Sequence, residues 1–209
     1  MKNTLLVYSS NRLVETETAH AVAALVAAGA GVVEQRDTAD VGLARNFALT
    51  MALRVLAAGA HDVALMVDDD MIFSVEQARA LVEHARATGR PCSAAYVVND
   101  GRLAAHHVGG GLWWTGLGML AIPALALEAV ANTLPRFWEH EQEWIEFTYS
   151  KSEPDTDKPG RRKWVPEDYR LCANLGGVAL LPLCVGHIKK RALFPNAETL
   201  PAFIEKVIG

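Results

Sequence analysis

Within its first hundred residues the chain repeats one unit. A short apolar run is followed by a stretch of twelve or more residues with helical character, then by another apolar run. The spacing predicts strands over residues 5–8, 32–35, 63–67 and 93–98, with helices over 16–28 and 41–58 and a third beginning at Ser74. The punctuation agrees with this reading. Gly29 and Gly59 stand where helices end, Asp40 stands where one begins, and Ser74 is followed three residues later by Gln77 as in a capping box. In the second helix Leu43, Phe47, Met51 and Val55 recur every fourth residue and are expected to form one buried stripe. Strand–helix–strand units of this length imply an α/β fold with a mainly parallel central sheet flanked by helices. Ligands of such sheets gather at the carboxyl ends of the strands.

At one such end the third apolar run meets Asp68, Asp69 and Asp70. Side chains alternate along a strand, so Asp68 and Asp70 are expected to face one way and Asp69 another. Adjacent carboxylates repel unless a cation or hydrogen-bond donors offset them. Hard cations such as Mg²⁺ or Mn²⁺ suit oxygen ligands combined with a substrate diphosphate. A solvated acidic turn leading into the Ser74 cap is the other reading of the same residues.

Three further groups carry chemistry. Glu167 and Asp168 follow Pro166 at the start of an expected helix over residues 166–175, where the helix dipole favours carboxylates and where one of them is placed to act as a general base. His187 follows an apolar strand expected over 178–185, and imidazole is a common ligand of transition cations. Arg45, near the start of the second helix, has a guanidinium suited to bidentate contact with a diphosphate. Each has a plain structural alternative: helix capping, a core histidine and a solvated helix face.

Taken in order, these segments resemble the GT-A glycosyltransferases, which use nucleotide-diphosphosugar donors. The resemblance runs through Tyr8, Ser9, Ser10 and Asn11 after the first strand, and through Ala44, Arg45, Asn46, Phe47 and Ala48 as an A-R-N-x-A-like segment. It continues through Asp68, Asp69 and Asp70 as a D-x-D motif, and Thr115, Gly116, Leu117, Gly118, Met119 and Leu120 as a glycine-rich acceptor segment. Pro166, Glu167 and Asp168 stand as an x-E-D motif, and His187 as the late histidine. What the resemblance implies is a single GT-A, Rossmann-like domain over residues 1–209, with a nucleotide-sugar-binding half (1–100) and an acceptor-binding half (101–209).

It further implies that Asp70 and His187, with Asp68 sharing, hold Mn²⁺ or Mg²⁺. The donor, a UDP-sugar by resemblance, would meet Tyr8, Ser9, Ser10, Asn11, Arg45, Asp68, Asp69 and Lys189. Asp168, beside Glu167, would be the base of an inverting enzyme, or a positioning group in a retaining one. Trp114, Thr115, Gly116 and Trp164 would meet the acceptor. Two departures stand out. Tyr169 and Arg170 are followed by Leu171, Cys172, Ala173 and Asn174 instead of further arginines, and His187 is followed by Ile188, Lys189 and Lys190 instead of glycine.

The acceptor is less constrained. Saccharides and small molecules fit, and so does a hydroxymethylated base in DNA, since Lys158, Arg161, Arg162, Lys163 and Trp164 with Lys189, Lys190 and Arg191 form two basic clusters. Nucleotidyltransferase activity is an alternative, although Ser9, Ser10, Asn11 and Arg12 contain no glycine for a phosphate loop. A non-catalytic nucleotide-sugar-binding module is another.

Composition narrows the rest. Net charge is −4, so no global field draws the chain to nucleic acid. Cys92, Cys172 and Cys184 are odd in number and widely spaced, which reads as reduced, mostly buried thiols of a cytoplasmic protein. The opening apolar run ends at Ser9 and is too short for a signal-peptide core. Residues 108–127 carry no charge, but five glycines and Pro123 suit a loop and a close-packed strand better than a membrane span. Residues 150–163 are expected to form a polar loop, residues 123–134 a helix, and residues 200–208 a closing helix.

Overall fold

A computed structural model describes residues 1–10, 14–36, 40–98, 101–139, 141–148, 151–154, 160, 162–188 and 192–193. In chain order its elements are β1 (Thr4–Ser10), α1 (Thr16–Ala27), β2 (Gly31–Arg36), α2 (Val41–Leu56), β3 (Val63–Asp68), β4 (Met71–Ile72), α3 (Val75–Thr88) and β5 (Cys92–Ala95). Then come β6 (Ala105–Gly109), β7 (Leu112–Thr115), β8 (Met119–Pro123), α4 (Ala124–Ala131), β9 (Arg136–Glu139) and β10 (Gln142–Ile145). The last are β11 (Lys151–Pro154), β12 (Arg162–Val165), α5 (Glu167–Asn174), β13 (Ala179–Cys184), β14 (Gly186–Ile188) and β15 (Ala192–Leu193).

The central sheet has six strands in the order β13-β5-β8-β3-β1-β2. β1 runs parallel to β2 and β3, and β13 runs parallel to β5, but β8 is antiparallel to both of its neighbours. The sheet is therefore mixed, with β8 opposing the other five strands. Parallel neighbours need a crossover, usually a helix, whereas β8 is reached from β5 through the β6–β7 hairpin. The tip of that hairpin is Gly109, Gly110 and Gly111, with φ of 105°, 60° and 73°, a run of left-handed backbone that glycine adopts without a Cβ clash.

Both faces of the sheet are covered, so its strands are apolar at successive residues. Leu5, Val7, Ala64, Met66, Leu120 and Ile122 pack on one face with Ala48, Leu49 and Ala52 of α2. Leu6, Tyr8, Leu65, Val67, Met119 and Ala121 pack on the other with Leu81, Val82 and Ala85 of α3. The uncharged stretch near residue 115 thus supplies β7 and the fully buried β8. Among the described residues no helix is long and apolar enough to cross a membrane. Cys92 and Cys172 are buried free thiols, and Cys184 is a partly buried one.

Local signals place the helix ends. The Asp40 carboxylate accepts from the Leu43 amide at 2.8 Å, and Ser74 and Gln77 cap α3 reciprocally at 3.2 and 2.8 Å. Three expectations need correction. The four-residue stripe does not stay on one face of α2, because each step of four turns the helix about 40° too far. Val55 at its end is 36% exposed, while Leu49, Ala52 and Leu56 take the buried positions. Part of the expected loop over 150–163 is a hairpin, in which β11 pairs antiparallel with β12 and Trp164 lies opposite Ser152. The helix expected over 123–134 ends at Ala131, after which Arg136–Glu139 and Gln142–Ile145 pair as a hairpin. The helix expected over 200–208 lies outside the described residues.

Candidate functional site

The register of the sheet brings the first motifs together. β1 and β3 pair with Ser9 opposite Asp68, so the end of the first strand and the acidic turn share one edge. The backbone of that turn is tied at every residue. The Asp68 amide donates to the Gly118 carbonyl at 3.1 Å, the Asp69 carbonyl accepts from the Glu15 amide at 3.1 Å, and the Asp70 carbonyl accepts from the Ile188 amide at 2.7 Å. β14 then pairs with β4, His187 opposite Met71, which carries the histidine to the turn from more than a hundred residues away.

The imidazole is buried. Its Nε2 lies 3.1 Å from an Asp70 carboxylate oxygen, and its Nδ1 lies 3.3 Å from the Val97 carbonyl oxygen. Both ring nitrogens thus face oxygen acceptors, and which of them donates depends on the tautomer. A carboxylate oxygen and an imidazole nitrogen side by side form the mixed donor pair that Mn²⁺ accepts. Among the described residues no group of three or more His, Cys, Asp or Glu side chains gathers as a metal site, which corrects the expectation that Asp68 shares a cation with Asp70 and His187: the Asp68 oxygens take Arg45 instead.

Asp68 is held differently. Arg45 Nη2 donates to its two oxygens at 2.8 and 3.1 Å, and Nη1 of the same guanidinium donates to Glu167 at 2.8 Å. Burial works against the charge on Arg45, but the two carboxylates outweigh it and the guanidinium pKa is raised. α2 presents this arginine because its N-terminal half is fixed at several points. Asn46 makes a reciprocal pair of bonds with the backbone of Thr148 at 2.8 and 2.7 Å, and the Thr148 hydroxyl donates to the Gly42 carbonyl at 3.1 Å.

α5 begins at Glu167, so Asp168 is its second residue. The Asp168 carboxylate accepts from the Tyr169 amide at 2.7 Å. Burial pushes the carboxyl up to about 6 and the charge of Glu167 adds to the shift, while the Tyr169 amide and Arg45 pull the other way. Asp168 lines a cavity of about 880 Å³, whose walls include Tyr96, Arg102, His107, Trp113 and Tyr169. A carboxyl that exchanges its proton near neutrality, on the wall of a cavity, is equipped for proton transfer.

The expected acceptor residues are placed unevenly. Trp114 is half-buried, with its ring centroid 5.9 Å from Tyr169. Thr115 is buried and turned inward, its amide donating to the Cys172 sulfur at 3.3 Å. Gly116 lines the cavity, and a Cβ there would collide with the Tyr96 hydroxyl. Tyr8 is buried at the end of β1, and Ser10 ends that strand opposite Arg36. Asn11, Lys189, Lys190, Arg191, Lys158 and Arg161 lie outside the described residues.

Sequence reasoning missed Tyr96. Its hydroxyl accepts from the Gly118 amide at 3.3 Å, its ring edge meets His187 at 5.2 Å between centroids, and it walls the cavity. It therefore lies between the Asp70–His187 pair and Asp168. Burial raises its phenol pKa, and the Asp68 charge adds to this. The signal was its place at the carboxyl end of an expected strand, where ligand-facing residues of such sheets collect.

The chain matches no protein-family model, and no curated protein matches it. Among solved structures it is similar to the crystal structure of A197 from STIV, with a TM-score of 0.61 and 16% identity over 94% of this chain and 95% of that chain. It also aligns with a CMP:2-keto-3-deoxy-manno-octonic acid synthetase complexed with CTP over 64% of this chain and 78% of that chain. There the TM-score is 0.37 and the identity 10%, too distant to carry an argument. What the chain shares with A197 from STIV is its α/β fold, over nearly the full length of both.

Proposed function

We propose that this chain is a metal-dependent GT-A glycosyltransferase that moves a sugar from a nucleotide-diphosphate donor to an acceptor hydroxyl, with Asp168 as the base. The observation that carries the reading is the position and state of Asp168. It is a carboxyl raised to about 6 on a cavity wall, next to a glutamate joined through Arg45 to the acidic strand end.

In this reading the donor, a UDP-sugar, lies across the ends of β1 and β3 against Tyr8, Ser9, Ser10, Asp68 and Asp69. Asp70 and His187 would hold Mn²⁺ or Mg²⁺, while Asp68 stays paired with Arg45. Such a cation, when bound, supplies positive charge against the diphosphate leaving group. Asp168 takes the proton of the acceptor hydroxyl, the acceptor oxygen bonds to the anomeric carbon, and the nucleoside diphosphate leaves with the electrons of the broken bond. A single displacement of this kind inverts the configuration. The acceptor, a saccharide or small molecule, occupies the cavity, whose wall includes Gly116. A modified DNA base is a second acceptor class, and it predicts activity that falls steeply with salt.

The test is turnover of diphosphosugars with Mn²⁺ by the native chain and by Asp168→Asn. Loss of general-base catalysis is expected to lower the rate about 10²–10⁴-fold while donor binding persists. Native-like turnover by Asp168→Asn would remove the assigned base. Release of pyrophosphate from a nucleoside triphosphate would mark a nucleotidyltransferase instead.

A further inference from the structure

We infer that Arg45 is a positioning residue that locks the acidic strand end to the first turn of α5, and so aims Asp168, instead of binding the donor phosphates itself. The inference rests on the reading of Asp168 as the proton acceptor. Both terminal nitrogens of Arg45 are already committed, Nη2 to Asp68 and Nη1 to Glu167. The guanidinium also lies behind its partners, 6% exposed where the Asp68 and Glu167 side chains are 24% and 25% exposed. An anion arriving from solvent therefore meets two carboxylates before it meets the arginine.

The support behind Arg45 is stiff. Asp40 caps its helix, Asn46 bonds to Thr148 on both sides of its amide, and Ala48, Leu49 and Ala52 are packed against the sheet. The support in front is short. Glu167 is the first residue of α5 and Asp168 the next, so fixing the Glu167 side chain fixes the turn from which Asp168 projects. Asn174, at the other end of the same helix, donates to the Phe147 carbonyl at 2.9 Å. Asn46 and Asn174 thus clamp consecutive residues of one segment, and Arg45 completes the tie between α2 and α5. A planar guanidinium serves two carboxylates at once, and an ammonium does so poorly.

Among the described residues the charged and titratable groups around Asp168 come from several elements. Glu167, Tyr169, Arg170 and Cys172 belong to its own helix, Arg45 comes from α2, Tyr96 follows β5, and Arg102, His106 and His107 stand on the cavity wall. Arg45 lowers the Asp168 pKa, so removing its charge has a defined direction.

The experiment is a carbon-13 NMR titration of the Asp168 carboxyl in the full chain, with amide shifts of residues 167–169 recorded in parallel. In Arg45→Gln the midpoint is expected to rise from about 6, and the three amides to move. In Arg45→Lys, which keeps the buried charge should the glutamine variant not fold, the midpoint stays near the native one and the amides still move. Unmoved amides at 167–169 in either folded variant, or an unchanged midpoint in Arg45→Gln, would overturn the proposal. Neither signal needs catalysis. If Asp168→Asn kept full turnover while the Arg45 variants moved both signals, the tie would stand and the base assignment would fall.

Discussion

Asp68 and Asp168 are the same side chain, gathered near one arginine, and the protein treats them in opposite ways. Asp68 takes both contacts of Arg45 Nη2, while Asp168, one residue beyond the arginine's other partner, is met by the Tyr169 amide on a cavity wall. Burial, and then the charge of Glu167 beside it, favours the protonated form of Asp168. One acid is thereby built into an ion pair with Arg45 and the other as a group that exchanges a proton near 6. The difference comes from neighbours more than a hundred residues apart in the chain, not from residue type.

The sharpest break in this comparison is to remove the shared cation. Arg45→Met leaves Asp68 and Glu167 without their counter-ion, and the expected loss is about 3 kcal/mol of stability, read as a lower urea midpoint at pH 7.5. A change within about 0.5 kcal/mol would mean the pair is solvated in practice.

The pH dependence of stability sharpens it next. The folded chain holds a proton on Asp168 up to about 6, whereas the unfolded chain releases it near 3.8. The folded state therefore binds more protons between those values, and stability falls as pH rises through that window and is level above it. The contribution reaches at most about 3 kcal/mol. Asp168→Asn has no such proton to lose, so it should overtake the native chain in stability by pH 7 and approach it near pH 4. Parallel curves for the two proteins across pH 4–7 would refute the raised Asp168 pKa.

The smallest effect concerns the turn that delivers Asp68. Ser74→Ala removes the cap of α3, a few residues beyond the acidic turn, at a cost of about 1 kcal/mol by thermal unfolding. The Asp168 titration should not respond, because the two acids are set by different contacts.

Much of the first hundred residues was readable because its signals are local. Asp40 reaches Leu43, and Ser74 and Gln77 reach each other, within three residues. Strands that are buried on both faces also announce themselves as apolar runs. The rest depends on pairing at a distance. Nothing near residue 119 states that β8 runs against β3 and β5, or that Gly109, Gly110 and Gly111 form a hairpin tip. The candidate site divides in the same way. Its carboxylates, arginine and histidine were visible as residue types in order. That His187 meets Asp70, that Arg45 turns to Asp68 and Glu167, and that Tyr96 stands between the two groups follows from sheet register, which composition does not encode.

The most direct test of the central claim is thermal unfolding of the purified chain against a panel of nucleoside diphosphates and diphosphosugars, with and without Mn²⁺. A ligand at a hundred times its dissociation constant adds about 2.7 kcal/mol of stability. The account predicts a manganese-dependent rise with one nucleotide that disappears in Asp70→Ala. No rise with any nucleotide, with or without the metal, would contradict it and leave the acidic turn as a structural feature.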